Sequence, residues 1–461
     1  MQQSSAEQTL VVAPPSRLQS FAMAVERIVP DAITSSVGML VILVIFAFAI
    51  GTSVGAVTDA YYRGLWMLLA FTMQMTLIVT LGPVVGSSPA FRRLIDALSV
   101  IPNSAFGVLL MATCINLVLS YIHWGLGVTV GPMIAVLFCA AAERKGIRVD
   151  FVHTLAIVYI AHSVWQYGVS SSAPLLMASP GHFLEKTTGV MPLASSIWSP
   201  AAIAMEVIFA VVLLTFARLT MPKNPTTIAA YPATSKLAGG DTVEESPADE
   251  GPMTFSKRLE KNPVVTIVLC GALLAYLIYH FVIKGQSHDL NSLNTIFLFL
   301  ALALSGSIFR FQRSLQTAIK SAWAVVVIYH LYAGVAGVIQ YTPVGETIAR
   351  IMAQFASTYT LPFLAAISGG IVAVFVPSSG GQWVIQGFIT SEIAAHVGVT
   401  YQRAMLALGV GDQLGNLWAP FWYVVAAGVV GIDFRKLFGY GLIGGLIWLV
   451  VGVLCFTFLP C

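Results

Sequence analysis

The chain has 461 residues, 57% of them hydrophobic and 9% charged, and a net charge of +3. A soluble domain carries about a quarter charged residues, so most of this surface must be solvated by lipid, and the reading is an all-α polytopic membrane protein. The small positive charge lies in short clusters between apolar runs, which excludes a nucleic-acid partner and reads as a topology signal.

In chain order, residues 1–16 are polar and predict a disordered tail, and Arg17 to Asp31 predicts an amphipathic helix on the membrane surface. No basic-then-apolar signal peptide opens the chain, so the N-terminus is expected to stay on and to be cytoplasmic. The first repeat runs over 34–219. Spans are expected at 34–57 and 64–85, each near the 20 residues or so needed to cross, followed by an amphipathic connector over 89–103. Residues 105–142 are apolar but interrupted from Ser120 to Gly127, with basic residues at both ends. Charge alone allows two spans or a re-entrant hairpin, and the layout of the second half favours the hairpin.

A broken span follows at 151–185, two half-helices joined by an unwound link at Ser170, Ser171 and Ser172. A span at 198–218 closes the repeat. Between 220 and 262 the composition turns to Pro, Ser, Thr, Gly, Asp and Glu, a cytoplasmic linker with too little apolar surface to fold. A span at 263–283 bridges to the second repeat, 284–461. There the spans are 292–309 and 321–341, the connector 345–359, the hairpin 361–398, the broken span 403–430 and the last span 437–458. Arg435 and Lys436 are read as cytoplasmic, which places the C-terminus in the periplasm.

The halves share one order: two spans, an amphipathic connector, a hairpin with a polar tip, a broken span and a closing span. That predicts two inverted repeats with about nine spans plus two re-entrant helical hairpins, and broken helices meeting at mid-membrane, where secondary transporters place substrate. Unpaired backbone in hydrocarbon costs several kcal/mol, so irregular chain at that depth must be buried in protein or line a cavity. The sharpest interruption is Val376-Pro377-Ser378-Ser379-Gly380-Gly381-Gln382-Trp383. The plainer alternative there is a Gly/Ser kink that lets helices pack closely. The second break is placed at Gly411-Asp412-Gln413-Leu414-Gly415-Asn416. Half-helix N-termini suit a carboxylate without any buried Arg or Lys, and half-helix C-termini suit Na⁺.

The Val376 to Trp383 stretch, with the polar run to Asn416 and then Pro420-Phe421-Trp422, resembles the short-chain fatty acid transporter family, the acetoacetate and butyrate uptake type. In layout it also resembles the wider superfamily of hairpin-bearing carboxylate carriers. Tyr121-Ile122-His123-Trp124-Gly125 and Ser171 through His182 fit the same style, and the resemblance spans about 17–461. Ser379 stands where many relatives would have a third glycine, which leaves chain-length preference open. The resemblance implies H⁺- or Na⁺-coupled uptake of small monocarboxylates, by an elevator movement of the hairpin domain against a homodimeric scaffold in a bacterial inner membrane.

Gln382 offers two N–H donors to a carboxylate; Ser378, Ser379 and the Gly380 and Gly381 amides offer an anion nest. Trp383 and Trp124 are read as walls for a short alkyl chain, with interfacial anchoring as the alternative. His123, Gly125 and Asn416 complete the candidate substrate site with the three serines 170–172, though serines also bond back to their own helix. Asp412 and Glu206 are the coupling candidates, because an ionisable residue inside the membrane is functional by default; the alternatives are a helix cap and an interhelical pair. Na⁺ ligands, if that is the ion, are expected among Ser120, Ser171, Ser378 and Asp412, and no other cofactor is expected. His162 and His330 are read as interhelical hydrogen bonders. Cys114, Cys139, Cys270, Cys455 and Cys461 form no Cys-x-x-Cys and predict neither disulfides nor a metal site.

The competing readings are an intramembrane enzyme, a channel and a dicarboxylate carrier. Gly51-Thr52-Ser53-Val54-Gly55 matches a hydrolase pattern but closes a membrane span instead of forming a strand-to-helix elbow. A channel needs no coupling carboxylate. A second substrate carboxylate would want a second donor cluster.

Overall fold

A computed structural model of the protein describes residues 32–238 and 254–461. The expected tail, the surface helix over 17–31 and the middle of the linker lie outside the described residues. Within them the secondary structure is helical, with no strand.

Helix α1 (Ala32–Ala49) ends in a turn at which Gly51 takes φ +86°, a backbone state that side chains disfavour. Ser53 then caps α2 (Val54–Leu65) by accepting the Ala56 N–H at 3.2 Å. The Gly-x-Ser-x-Gly stretch is therefore helix-end structure. α3 (Leu69–Gly86) and the amphipathic α4 (Pro89–Ser99) lead to the first hairpin, α5 (Ala105–Ile122) and α6 (Trp124–Arg144), separated by His123 alone. α7 (Phe151–Ala161) tightens into a 3₁₀ segment, His162–Tyr167. It unwinds at Gly168 and restarts as α8 (Ser172–Ala178), as the serine-rich link predicts. α9 (Pro200–Leu219) follows.

The second half opens with α10 (Pro263–Ile278), extended by a π-helical turn, Tyr279–Ile283. α11 (Leu290–Ser305) and the amphipathic α12 (Ile308–Ala318) precede α13 (Trp323–Tyr341) and α14 (Val344–Ala353). The second hairpin is α15 (Leu361–Ala373) and α16 (Ser379–Val397). α17 (Tyr401–Trp418), α18 (Pro420–Val430) and α19 (Arg435–Phe458) complete the chain.

By length and composition, six helices among the described residues can cross a membrane: α3, α5, α6, α9, α10 with its extension, and α19. The pair α13 and α14, bent by 73°, raises this to seven; α1, α11 and α15 are shorter apolar helices. Both arms of the first hairpin are thus long enough to span, although they were expected to be re-entrant.

The second broken span differs from expectation. α17 is continuous through Gly411 to Asn416, and the interruption falls at Ala419, where ψ is 143° and Pro420 opens the next helix. The glycines that read as a break form a packing face instead. A side chain at Gly411 would meet the Gly370 backbone N at 2.6 Å, and one at Gly369 would meet the Leu408 carbonyl at 2.7 Å. Two small residues four apart let helix backbones approach closely, and here they seat α15 directly on α17. The Gly441 and Gly445 pair of α19 likewise faces inward, against Tyr423 and Trp418 of the same chain, so it gives no support to dimerisation.

Filling this seam is expected to unseat the hairpin. Gly411→Leu should lower stability by about 3 kcal/mol, read as a fall in the thermal midpoint of the purified protein in detergent. Gly428→Ala, whose added methyl meets no atom within 4 Å, should leave it unchanged.

Candidate functional site

The two hairpin tips and the two breaks converge. At the first tip, His123 is fully buried and caps α6, its Nδ1 accepting the Leu126 N–H at 3.3 Å while its ring lies 3.9 Å from that of Phe297. The tip is stitched to the first break: the Trp124 N–H donates to Ser170 Oγ at 2.8 Å, and the Val169 N–H to the Tyr121 carbonyl at 2.7 Å. Ser171 Oγ donates to the Gln166 carbonyl at 2.5 Å, and Ser120 Oγ meets His162 Nδ1 at 3.0 Å. These serines satisfy the backbone and side chains that the irregular chain would otherwise leave unpaired.

At the second tip, Ser378 caps α16. Its Oγ accepts from the Gly381 N–H at 3.4 Å and its carbonyl from the Gln382 N–H at 2.7 Å, and Tyr329 of α13 meets the hydroxyl at 2.8 Å. The Trp422 indole donates to the Pro377 carbonyl at 3.3 Å. Of the expected anion nest, the Gly381 amide is already taken by the Ser378 hydroxyl. Gly380 and Gly381 instead allow close packing: added side chains would meet Phe71 and Tyr332. Both N–H groups of Gln382 are also engaged, with the Gly369 carbonyl and with Gln386 Oε1, each at 2.7 Å. Gln382 braces the two arms of the hairpin and does not offer its donors to a ligand.

Between the tips lies a cavity of about 270 Å³. Trp124, Trp165 and Trp422 form its aromatic wall, with Trp124 6.0 Å from Trp165 and 6.3 Å from Trp422 between ring centres. Of the predicted site residues, Trp124, Gly125, Ser172, Ser378, Ser379 and Asn416 line it. His123, Ser170, Ser171, Gly380, Gly381, Gln382 and Trp383 support it from behind. Among the described residues, its lining holds no Asp, Glu, Lys or Arg. Two of the lining donors, the Trp124 indole N–H and the Tyr332 hydroxyl, are buried without a partner. An unpaired buried donor costs about 1–3 kcal/mol.

Trp165, Tyr329, Tyr332 and Gln413 were not foreseen as site residues. Trp165 Nε1 donates to Gln413 Oε1 at 2.9 Å, and Gln413 Nε2 donates to Ser163 Oγ at 2.9 Å, so the first break is tied to α17. The signal that existed was the Tyr329-x-x-Tyr332 spacing, which puts two phenols on one helix face.

Behind the second tip is a separate void of about 10 Å³, room for about one water. Gln166, Ser379, Gln382, Trp383 and Asp412 border it. Gln166 Oε1, Gln382 Oε1, Trp383 Nε1 and Asp412 Oδ1 are each buried and unpartnered. Asp412 Oδ2 accepts from Asn416 Nδ2 at 3.3 Å. Asp412 thus sits mid-helix beside the cavity between the tips, joined to it by Asn416, and caps no helix. Glu206 of α9 is buried with both oxygens unpartnered, near the Tyr167 backbone N–H, and borders neither space. Ser120, Ser171 and Ser378 do not gather with Asp412 around this void.

Residues 16–459 match the short chain fatty acid transporter family. The chain belongs to that family. Two bacterial proteins, each named "Putative short-chain fatty acid transporter", are similar along most of their length. The protein from Escherichia coli (strain K12) is 29% identical over 90% of this chain and 93% of its own. The one from Haemophilus influenzae (strain ATCC 51907 / DSM 11121 / KW20 / Rd) is 28% identical over the same shares. In fold the chain is similar to the Alcanivorax borkumensis YdaH transporter, with TM-score 0.60 at 16% identity, covering 93% of this chain and 98% of that one. It is also similar to Neisseria gonorrhoeae MtrF, of a class described as antimetabolite efflux pumps, with TM-score 0.56 at 15% identity over 95% and 97%. The protein is a multi-pass membrane transporter and not an enzyme.

If the two unpartnered donors hold the substrate, Trp124→Phe and Tyr332→Phe should each weaken binding of a radiolabelled short-chain carboxylate about tenfold, one charge-assisted hydrogen bond. Trp383→Phe, behind the tip, should leave that affinity unchanged in the same assay.

Proposed function

We propose that the protein takes up short-chain monocarboxylates of the butyrate and acetoacetate kind across the bacterial inner membrane, by ion-coupled secondary transport. The observation that carries this reading is the uncharged, tryptophan-walled cavity between the two hairpin tips, with two unpartnered donors in its lining. An aromatic wall suits a short alkyl chain, and a few placed donors suit one carboxylate. Family membership and the relatives' names support the substrate class. A dicarboxylate or other organic anion, the competing reading, wants a second donor cluster on the opposite wall.

Coupling is assigned to Asp412. A buried carboxylate with one unpartnered oxygen is costly unless neutralised, so a cation, H⁺ or Na⁺, joins it in part of the cycle. The adjacent void, bordered by Gln166 from the first half and by Gln382 and Ser379 from the second hairpin, is where that cation sits. Its occupancy would tie the hairpin to the first break. Glu206, with both oxygens unpartnered, is the second coupling candidate. The shared order of elements in the two halves supports inverted repeats, and the hairpin domains are taken to move as elevators against a homodimeric scaffold. The N-terminus is placed in the cytoplasm and the C-terminus in the periplasm.

The test is uptake of radiolabelled butyrate into proteoliposomes under Na⁺ and proton gradients imposed separately. One of the two gradients should drive accumulation. Asp412→Asn should abolish that accumulation while keeping butyrate exchange at equal ion concentrations. Accumulation by Asp412→Asn at the wild-type level would remove Asp412 from coupling, and no uptake under either gradient would remove the monocarboxylate reading.

A further inference from the structure

The cavity between the tips is larger than a four-carbon acid. It holds about 270 Å³. At about 30 Å³ for each water-sized group, that is room for about nine non-hydrogen atoms, where butyrate has six, hexanoate eight and octanoate ten.

Its lining is also sorted along its length. The serines and amides stand at the second tip and on α17: Ser378, Ser379, Gln413 and Asn416, with Ser172 of α8, whose Cβ lies 3.1 Å from where a Cβ at Gly380 would be. Three helices carry a residue held at a tip and, one turn away on the same face, an aliphatic one. On α6 the Trp124 N–H is bound to Ser170, and Val128 lies four residues on. On α13 the Tyr329 hydroxyl meets Ser378 at 2.8 Å, and Val325 lies four residues back, with Ile328 after it. On α18 the Trp422 indole donates to the Pro377 carbonyl, and Val425 lies three residues on. Each of these directions leads toward a basic cluster, Arg144 and Lys145, Lys320, or Arg435 and Lys436, so by the positive-inside bias the aliphatic residues share one side of the tips. Thr129, at the same end, spends its hydroxyl on the Gly125 carbonyl at 2.6 Å.

We propose that the site is built for a monocarboxylate longer than butyrate, a linear acid of about six carbons. Its carboxylate lies among the serines and amides of the second tip, and its chain lies along Val128, Val325, Ile328 and Val425, which are then the specificity residues for chain length. The inference rests on the monocarboxylate reading above. Each methylene moved from water onto that wall tightens binding about fourfold, until the chain outgrows the cavity.

The test is competition against radiolabelled butyrate on the purified protein in detergent, with the linear acids from acetate to octanoate. Hexanoate should compete at about one-fifteenth of the butyrate concentration, two methylenes at about fourfold each, and octanoate should compete more weakly than hexanoate. Ile328→Ala should make octanoate the tightest competitor, a gain that misfolding cannot produce. Val128→Phe should remove the advantage of hexanoate over butyrate. Val327→Ala, at a residue 44% exposed and outside the cavity lining, should keep the wild-type order, and partition of the longer acids into detergent is the same for every variant. Butyrate competing as well as hexanoate, or better, would overturn the inference and leave the monocarboxylate reading standing, as would Ile328→Ala and Val128→Phe both keeping the wild-type order. Failure of butyrate to bind the wild type overturns that reading and this inference together, and is seen before any variant is compared.

Discussion

Everything in this molecule depends on the requirement that no backbone polar group be left unpaired at membrane depth. Among the described residues the chain breaks its helices in the interior at two hairpin tips and at two further breaks, and side chains close the two tips and the first break. His123 and Ser378 cap the helices that leave the two tips. Ser170 takes the amide at the first tip, Ser171 the carbonyl of the 3₁₀ segment, and Trp422 the carbonyl of Pro377. With the backbone satisfied internally, the surrounding side chains can be spared for a ligand. The Trp124 indole N–H and the Tyr332 hydroxyl, on two residues of the cavity lining, are left without a partner.

The same requirement orders the packing. α15 seats on α17 through backbone-to-backbone contact at Gly369, Gly370 and Gly411, and Gln382 and Gln386 bridge the arms of the hairpin by way of Gly369 and Ser368. The hairpin and α17 are therefore packed as one unit. Asp412 lies inside it, next to the void and one helical turn from the cavity-lining Asn416. In the coupling role proposed for Asp412, a change in its charge state would act on the seam that holds the hairpin and on the wall of the cavity between the tips, which would be the physical content of coupling.

Much of this was legible in the sequence where a residue forbids regular helix. Pro377 before Ser-Ser-Gly-Gly, and the serines before Pro174, announce irregular backbone by their chemistry, and both interruptions stand where they were read. Gly411 to Asn416 misled, because glycines four apart fit a break and a packing seam equally well. The residue that ends α17 is Pro420, a plain breaker that lay just beyond. The donors were the least legible part. Gln382 looked free until the facing Gly369 carbonyl was in place. Trp165, Tyr329 and Tyr332 sit in or beside ordinary apolar runs and become site residues only because the fold brings the first break and α13 to the same cavity.

The most direct test of the account is where a substrate analogue touches the protein. Photolabelling with a diazirine analogue of butyrate, competed by butyrate and mapped by mass spectrometry, should place the competed label on Trp124, Trp165, Tyr332 or Trp422. Competed label confined to residues outside the cavity between the tips would contradict it.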